Sequence, residues 1–314
     1  MLIIVIINVI VIITTDFLNA LLEMASLLLA LLQIPVYYFL EVIYFLFRCR
    51  PKKQMKDEHV LITGAAQGIG GGLADKFAEM GNTVHCVDID SNLVQKKVDG
   101  LRAKGFKAHA YTCDLTKREE VEQLHKDIIG DGHTVTVLIN NAGVAFGISI
   151  GDQTLNQLNQ SMTLNLTSNL WLIKLFLPKM IELNKGHVVN MASAAGLFPI
   201  PKCTDYCAAK AASIHTMNQL RTEFVESDVK FTAICPAFVE TNMTKGLKGR
   251  VNLLPLEVCV NRCIKGILEN KEILIIPTTI NIAISFYTLL PSPLQKYTLM
   301  KRLEAGQKMA EKNK

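Results

Sequence analysis

From residue 58 onward, short apolar segments of strand length alternate with longer segments of helical periodicity. The predicted strands are 59–63, 83–87, 107–113, 134–139, 187–191, 230–235 and 272–276. This alternation favours a parallel sheet, because parallel strands are normally joined by right-handed helical crossovers. The sequence therefore predicts an α/β fold in which a doubly wound parallel sheet of seven strands carries helices on both faces.

A glycine-rich turn, Gly64-Ala65-Ala66-Gln67-Gly68-Ile69-Gly70, follows the first predicted strand and leads into a helical pattern. Such a turn lets backbone amides approach a pyrophosphate, and the helix N-terminus adds partial positive charge. The second strand ends in Asp88, whose carboxylate can accept hydrogen bonds from a ribose 2′-hydroxyl and repel a 2′-phosphate. A dinucleotide site that prefers NAD to NADP is predicted, although Asp88 could instead cap the helix that begins near Ser91.

Small polar residues also follow the third and fourth strands, at Asp114-Leu115 and at Asn140-Asn141-Ala142-Gly143. The carboxyl ends of parallel strands line one crevice, so these residues are expected beside the glycine turn. The periodicity of residues 153–183 predicts one long helix whose apolar face includes Asn165. A buried asparagine either satisfies a local backbone group or points into a polar site.

Ser193, Tyr206 and Lys210 form a candidate catalytic set. Tyr206 and Lys210 are four residues apart and share one face of a helix, while Ser193 follows the fifth strand. An ammonium beside a phenol favours the phenolate, and a serine hydroxyl can hold a substrate oxygen against it. Taken alone, the Tyr-x-x-x-Lys pair also suits a half-buried tyrosine beside a lysine that extends to solvent.

Together these motifs resemble those of the classical short-chain dehydrogenases/reductases. Thr63 to Gly70, Asp114, Asn140 to Gly143, Asn165, Ser193, Tyr206-x-x-x-Lys210 and Pro236 to Thr241 occur in that family's order and spacing. The resemblance covers about residues 58–277 and implies a Rossmann-type domain. Residues 187–207 are similar to the membrane-bound branch that holds retinol dehydrogenases and 17β-hydroxysteroid dehydrogenases of the endoplasmic reticulum and lipid droplets. Gly71 and Ala237 depart from the family's usual Arg and Gly.

The resemblance implies a role for each matching residue. Tyr206 would be the general acid/base, and Lys210 would lower its pKa and hold the nicotinamide ribose. Ser193 would orient the substrate oxygen, and Asn165 would hold a water in the proton relay. Implied cofactor contacts are Gly64, Gly68 and Gly70 at the pyrophosphate, Asp88 at the adenosine ribose, Asp114 at the adenine, Asn141, Ala142 and Gly143 along the cofactor, Thr241 at the carboxamide, and Ile69, Leu115, Pro236, Val239, Tyr206 and Lys210 as further contacts.

The N-terminal region is apolar over Met1 to Thr15 and again over Met24 to Phe47. The first stretch is too short to span a bilayer as a helix, whereas the second is long enough. Glu41 makes spanning costly, so an interfacial helix or a hairpin is an alternative. A cleaved signal peptide fits poorly because no Lys or Arg precedes the apolar run. The basic cluster at 48–56 then places the following domain in the cytosol.

The predicted organisation is a membrane anchor at 1–49, a basic linker at 50–57, a catalytic domain at 58–277, and an apolar patch with a basic tail at 278–314. Residues 242–261 are expected to cover the substrate. Residues 273–300 are a second membrane-contacting patch, with core packing or a homodimer contact as alternatives.

Neither the basic flanks nor the cysteines carry a nucleic-acid motif or a zinc ligand pattern, so no nucleic-acid partner and no metal site are predicted. The cysteines are expected to be free thiols.

The leading hypothesis is an NAD-dependent oxidoreductase that interconverts the alcohol and carbonyl of a lipophilic substrate. Retinol/retinal comes first and a hydroxysteroid or fatty alcohol next, at the cytosolic face of the endoplasmic reticulum membrane or a lipid droplet. The alternative is a non-catalytic scaffold on the same membrane or droplet.

Overall fold

The computed structural model describes residues 53–249, 251–298 and 300–301, together with 18–19, 21–26, 28–29, 33, 36, 39–40 and 43. The chain divides into two compact units, Met1–Pro51 and Lys52–Lys314. In the first unit the described residues are helical and exposed. Within the described part of the chain, no helix is both long enough and apolar enough to cross a membrane. Met1 to Thr15 and much of Met24 to Phe47 lie outside the described residues.

The second unit contains a seven-stranded sheet in the order β3-β2-β1-β4-β5-β6-β7, with every neighbouring pair parallel. The strands are β1 His59–Thr63, β2 Thr83–Asp88, β3 Ala108–Thr112, β4 Val137–Asn140, β5 His187–Met191, β6 Lys230–Pro236 and β7 Ile273–Ile276. The strand order reverses between β1 and β4, which is where ligands bind in such sheets. The predicted doubly wound parallel sheet is confirmed.

Helices cover both faces of this sheet. They are α1 Gly68–Glu79, α2 Ser91–Ala103, α3 Arg118–Gly130, α4 Leu155–Met162, α5 Ser168–Glu182, α6 Thr204–Glu223, α7 Leu256–Leu268 and α8 Thr279–Leu289. Side chains alternate along each strand, so Val60 and Ile62 pack with α1, α2 and α7, whereas Leu61 packs with α3, α5 and α6. The sheet therefore lies between two apolar cores, one on each of its faces.

The segment expected to form one long helix is divided. A capping box between Thr154 and Gln157 begins α4, and a π-helical turn, Thr163–Thr167, separates α4 from α5. Within that turn the Asn165 side chain donates to Val144 O at 2.7 Å and to Ser161 O at 2.9 Å. The expected long helix thus runs from Leu155 to Glu182 with a π-helical turn inside it. Apolar periodicity does not indicate this turn, which accompanies the contact between Asn165 and the segment after β4.

The segment at 242–261, which is expected to cover the substrate, contains two different parts. A 3-10 helix, Asn242–Leu247, is followed by a return in which Leu254 N donates to Phe238 O at 2.8 Å. Helix α7 then begins at Leu256 and buries Cys259 and Val260 in the core. The second half of the predicted cover is core packing, because its apolar face lies against α1.

The described residues ahead of β1 pack onto the sheet. Lys53 N donates to Leu268 O at 3.0 Å, and Met55 is buried. The Lys53 ammonium lies 2.7 Å from His187 Nδ1. Lys53, a member of the predicted basic cluster at 48–56, is thus half-buried against the sheet.

Candidate active site

A cavity of about 560 Å³ opens at the carboxyl ends of the central strands. It brings together residues that are far apart in the chain. The predicted site residues that line it are Gly64, Gly68, Ile69, Asp88, Asp114, Leu115, Asn141, Ala142, Gly143, Ser193, Tyr206, Lys210, Pro236, Val239 and Thr241. Gly70 and Asn165 are not among the lining residues and lie behind the wall.

The glycine turn between β1 and α1 forms one end of the cavity. Gly64 and Gly68 have φ values of 63° and 59°, in the left-handed region that favours glycine. A Cβ on Gly70 would lie 2.2 Å from Gly64 O, so Gly70 lets α1 seat against the turn and does not itself face the cavity. The open turn and the N-terminus of α1 fit the pyrophosphate of a dinucleotide.

Asp88 ends β2 and holds the glycine turn. Ala66 N donates to Asp88 Oδ2 at 3.1 Å, and Asp90 N donates to its Oδ1 at 3.3 Å. The cap of α2 is a different residue, Asp90, which accepts from Leu93 N at 3.0 Å. The alternative in which Asp88 caps this helix is therefore excluded, and its carboxylate lines the cavity.

The wall between the glycine turn and the catalytic set is fixed by Thr63 and Asn141. Asn141 Nδ2 donates to Thr63 O at 2.8 Å, and Asn141 N donates to Thr63 Oγ1 at 2.9 Å. Farther along the cavity, Asp114 Oδ1 accepts from Thr116 N and Oγ1 at 3.0 and 2.7 Å. The neighbouring strand β1 thus orients Asn141, whereas a local turn orients Asp114.

Ser193, Tyr206 and Lys210 meet at the other end of the cavity. The Lys210 ammonium lies 5.5 Å from the Tyr206 ring centre and donates to Met191 O at 2.8 Å. Ser193 Oγ accepts from Ala195 N at 3.1 Å and interacts with the Tyr206 hydroxyl. The loop that follows Ser193 seats closely on α6, because a Cβ on Gly196 would lie 2.7 Å from the Lys210 backbone.

Burial shifts the proton affinities of this set. Burial raises the pKa of Tyr206 to about 12, against the opposing effect of its hydrogen bond with Ser193. Burial also lowers the pKa of Lys210 to about 8. Both shifts express the cost of holding a charge in this end of the cavity. A positive charge bound beside the phenol would favour the phenolate and offset the first of them.

Asn165 lies behind Gly143 and is fully buried. A Cβ on Gly143 would lie 2.6 Å from Asn165 Oδ1 and 3.4 Å from Lys210 Nζ, so glycine is needed for this close approach. The carboxamide is used by backbone groups of Val144 and Ser161. Of the two sequence alternatives, local satisfaction describes the side chain. The water-holding role remains a prediction.

Several lining residues escape the sequence analysis. Asn242 Nδ2 donates to Gln67 Oε1 at 2.6 Å and so links the segment after β6 to the glycine turn. Gln160 and Leu164 line the cavity from α4 and the π-helical turn. Gln160 is five residues from Asn165, which is not a same-face spacing in an α-helix, so periodicity does not indicate it. The pairing of Gln67 with Asn242 joins residues that are far apart in the sequence, so no local pattern indicates it either. The other lining residues not predicted are Ile89, Cys113, Thr116, Val144, Ala145, Met191, Ala192 and Ala237. Met243 also lines the cavity and belongs to the segment expected to cover the substrate.

Comparison with known proteins identifies the family. Residues 58–251 match the family model described as short chain dehydrogenase. The chain belongs to the short-chain dehydrogenase/reductase family. It is 35% identical to short-chain dehydrogenase/reductase family 16C member 6 of Bos taurus, over 79% of this chain and 81% of that protein. Identity is 33% with epidermal retinol dehydrogenase 2 of Mus musculus, over 80% and 84% of the two chains. It is 31% with 17-beta-hydroxysteroid dehydrogenase 13 of Homo sapiens, over 87% and 91%.

Solved structures agree on the fold of this short-chain dehydrogenase/reductase. A short chain dehydrogenase/reductase from Burkholderia phymatum in complex with NAD superposes with a TM-score of 0.69 at 23% identity, covering 74% of this chain and 93% of that one. The predicted resemblance to the branch holding retinol and 17β-hydroxysteroid dehydrogenases is confirmed by the relatives. The chain is thus an alcohol dehydrogenase-type oxidoreductase.

Proposed function

We propose that this protein oxidises or reduces a lipophilic alcohol/carbonyl pair with NAD, a retinoid first and a hydroxysteroid or fatty alcohol next. The observation that carries the proposal is that Ser193, Tyr206 and Lys210 line the same cavity as Asp88. The retinol and hydroxysteroid dehydrogenases among the relatives support this substrate class.

In the oxidation direction, Ser193 holds the substrate hydroxyl against Tyr206, whose phenolate oxygen takes the hydroxyl proton. Lys210 stabilises that phenolate with its ammonium, which lies beside the ring. A nicotinamide bound in this cavity would supply the acceptor for the hydride that leaves the substrate carbon. Gly64 and Gly68 would hold the pyrophosphate, and Asp88 the adenosine ribose. In the reduction direction, Tyr206 returns its proton to the carbonyl oxygen.

The preference for NAD is supported by the charges around the cavity. Among the described lining residues, Lys210 is the one basic side chain. It contacts the end of β5, whereas Asp88 ends β2, and β1 and β4 lie between these strands. A 2′-phosphate beside Asp88 would meet a carboxylate with no cation among these residues to balance it.

Apolar surfaces near the catalytic end support a lipophilic substrate. Leu164 and Met243 line the cavity. The Phe198 ring, in the loop after Ser193, packs against Tyr287 of α8 at 4.5 Å between ring centres. The same helix exposes Phe286 and Leu289, which are 70% and 83% accessible. An exposed apolar helix beside the catalytic loop suits a protein that works at a lipid surface.

We place the protein at the cytosolic face of the endoplasmic reticulum membrane or on a lipid droplet, with residues 1–49 as anchor. Exposed apolar side chains at described N-terminal positions support this location, among them Leu22, Leu29 and Phe39. The residues after 277 would add a second contact with lipid, since Leu294, Tyr297 and Met300 are also exposed.

The test is NADH formation by membranes that contain the full chain. All-trans-retinol, estradiol and a long-chain alcohol are offered separately with NAD and with NADP, beside a Tyr206→Phe control. We expect one alcohol to be oxidised with NAD and the control to be inactive. Activity that is equal in the Tyr206→Phe protein would overturn the assigned chemistry. Failure with every alcohol and both cofactors would favour a scaffolding role.

A further inference from the structure

Four histidines converge near the amino end of the sheet, away from the catalytic cavity. His59 begins β1, His85 lies in β2, His109 lies in β3, and His133 follows α3. Strand register pairs His85 with His109 and with Leu61, which faces the core formed with α3. The His85 ring centre is 5.3 Å from that of His59, 5.1 Å from His109 and 4.8 Å from His133.

Three of these rings can offer nitrogens to one point. One ring nitrogen from each of His59, His85 and His133 lies within 4.8 Å of the other two. His59 Nδ1 and His85 Nε2 are already 3.0 Å apart. His85 is completely buried, and within the described structure its Nδ1 has no hydrogen-bond partner. An unsatisfied buried polar atom costs about 1–3 kcal/mol, which favours a partner other than the protein.

Charged residues surround the cluster. The charged groups that act on the cluster are mixed. Glu58 and Lys107 act on His59, and Asp131 and Arg102 act on His109. The carboxylates can balance part of the charge of a bound cation.

We propose that His59, His85 and His133 form a binding site for a divalent transition-metal ion, with zinc as the best candidate. Three imidazoles plus an open position suit zinc, copper or nickel better than calcium or magnesium. Zinc–nitrogen bonds of about 2.0–2.1 Å require nitrogens roughly 3.3–3.5 Å apart, so the side chains must close in modestly. Water or His109, whose ring centre is 4.5 Å from that of His133, can take the fourth position.

Such an ion would be structural. It would tie β1 and β2 to the segment that leads into β4, and it lies at the opposite end of the strands from Ser193, Tyr206 and Lys210. The sequence analysis predicts no metal ligands, because these histidines recur about once per strand–helix unit and form no local spacing motif. Only the parallel register brings them to one place.

The experiment uses the full chain in detergent after treatment with a chelator. Zinc is added while heat release and the melting temperature are recorded. We expect a single equivalent of zinc to bind and to raise the melting temperature. His133→Gln should weaken binding by at least about tenfold, since even loss of an outer contact costs about 10–100-fold. His215→Gln, on the exposed face of α6, is the matched control and should bind as the wild type does.

The metal-free melting temperature of each variant shows that it folds. If His133→Gln is unfolded, His59→Gln carries the same comparison. Zinc affinity that is equal in the wild type and the ligand variant would overturn the proposal, as would absence of binding at micromolar zinc. Cobalt substitution adds an independent readout: a visible spectrum typical of four-coordinate cobalt is expected in the wild type and should be lost in the variant.

Discussion

Buried polar groups find their hydrogen-bond partners differently at the amino ends and at the carboxyl ends of the strands, which are called here the amino edge and the carboxyl edge of the sheet. At the amino edge, protein groups satisfy one another. Thr232 Oγ1 donates to Lys271 O at 2.6 Å and therefore accepts from His187 Nε2 at 2.8 Å. His187 Nδ1 is left to accept from the Lys53 ammonium at 2.7 Å. At the carboxyl edge, Asp88, Ser193 and Tyr206 face a cavity.

This difference indicates which polar residues serve a ligand. Buried polar groups need partners, and the protein supplies them at the amino edge. At the carboxyl edge the protein supplies only some of the partners, so a cofactor and substrate would complete the set. The histidine cluster is an exception at the amino edge, since one of its nitrogens remains unpaired among the described residues.

The largest expected effect comes from removing one tyrosine hydroxyl at each edge and comparing kcat/KM. Tyr206→Phe should lower kcat/KM by about 10²–10⁴, the usual contribution of a general acid/base. Tyr111→Phe removes a hydroxyl that hydrogen-bonds to Asp131 near the histidine cluster and should leave kcat/KM unchanged. Steady-state kinetics on both variants would test this. A comparable loss in Tyr111→Phe would mean that the comparison of edges is mistaken.

A buried lysine and a half-buried lysine offer the next test. Burial lowers the pKa of both Lys210 and Lys53 to about 8. Lys210→Met should reduce kcat/KM by about 100-fold or more, whereas Lys53→Met should not affect it. The free energy of unfolding of Lys210→Met should change by less than about 2 kcal/mol. Relief of the buried charge, about 3 kcal/mol at most, is offset by the unpaired Met191 carbonyl at about 1–3 kcal/mol.

These lysine variants are compared by denaturant unfolding at neutral pH and by activity. Large destabilisation of Lys210→Met would show that its role is structural, and the loss of activity would then say nothing about the phenol.

A smaller effect distinguishes two neighbouring aspartates. Asp88→Asn should reduce the preference for NAD over NADP by about 10–100-fold, because a charge-assisted hydrogen bond contributes about 1.5–3 kcal/mol and repulsion of the 2′-phosphate is lost. Asp90→Asn makes the same change in charge and keeps a good helix cap, so its cofactor preference should be unchanged. The ratio of kcat/KM for the two cofactors measures this. An equal change of cofactor preference in both variants would mean that net charge, and not the position of Asp88, causes the effect.

The smallest effect concerns the amino edge and pH. Burial, together with Lys53 and Lys230, holds the pKa of His187 well below 6.5. The unfolded chain therefore binds a proton below about pH 6.5 that the folded chain does not, and stability falls as the pH falls, by at most about 1.4 kcal/mol per pH unit. His187→Gln can keep both hydrogen bonds and should flatten this slope. Urea unfolding at neutral and mildly acidic pH, with His215→Gln as control, measures it; an unchanged slope in His187→Gln would contradict the assignment.

Much of the fold and of the candidate site could be predicted from sequence because the decisive signals are local. Each βα unit carries its own apolar strand, its turn and its helix, and right-handed crossovers leave little choice of topology. Gly64, Asp88, Asn141 and Ser193 each lie at or just after a strand end. Parallel strands then bring these residues to one edge without any further information.

Tertiary structure alone decided the features that depend on contacts between distant segments. The π-helical turn at Asn165 accompanies a contact with Val144, and the closure of Asn242 onto Gln67 joins two ends of the domain. The Lys53 ammonium lies beside His187, and the register of the strands brings the clustered histidines together. Periodicity reports which face of an element is buried, but it does not report which residue of another element lies opposite. That pairing is decided only when the strands and helices pack together.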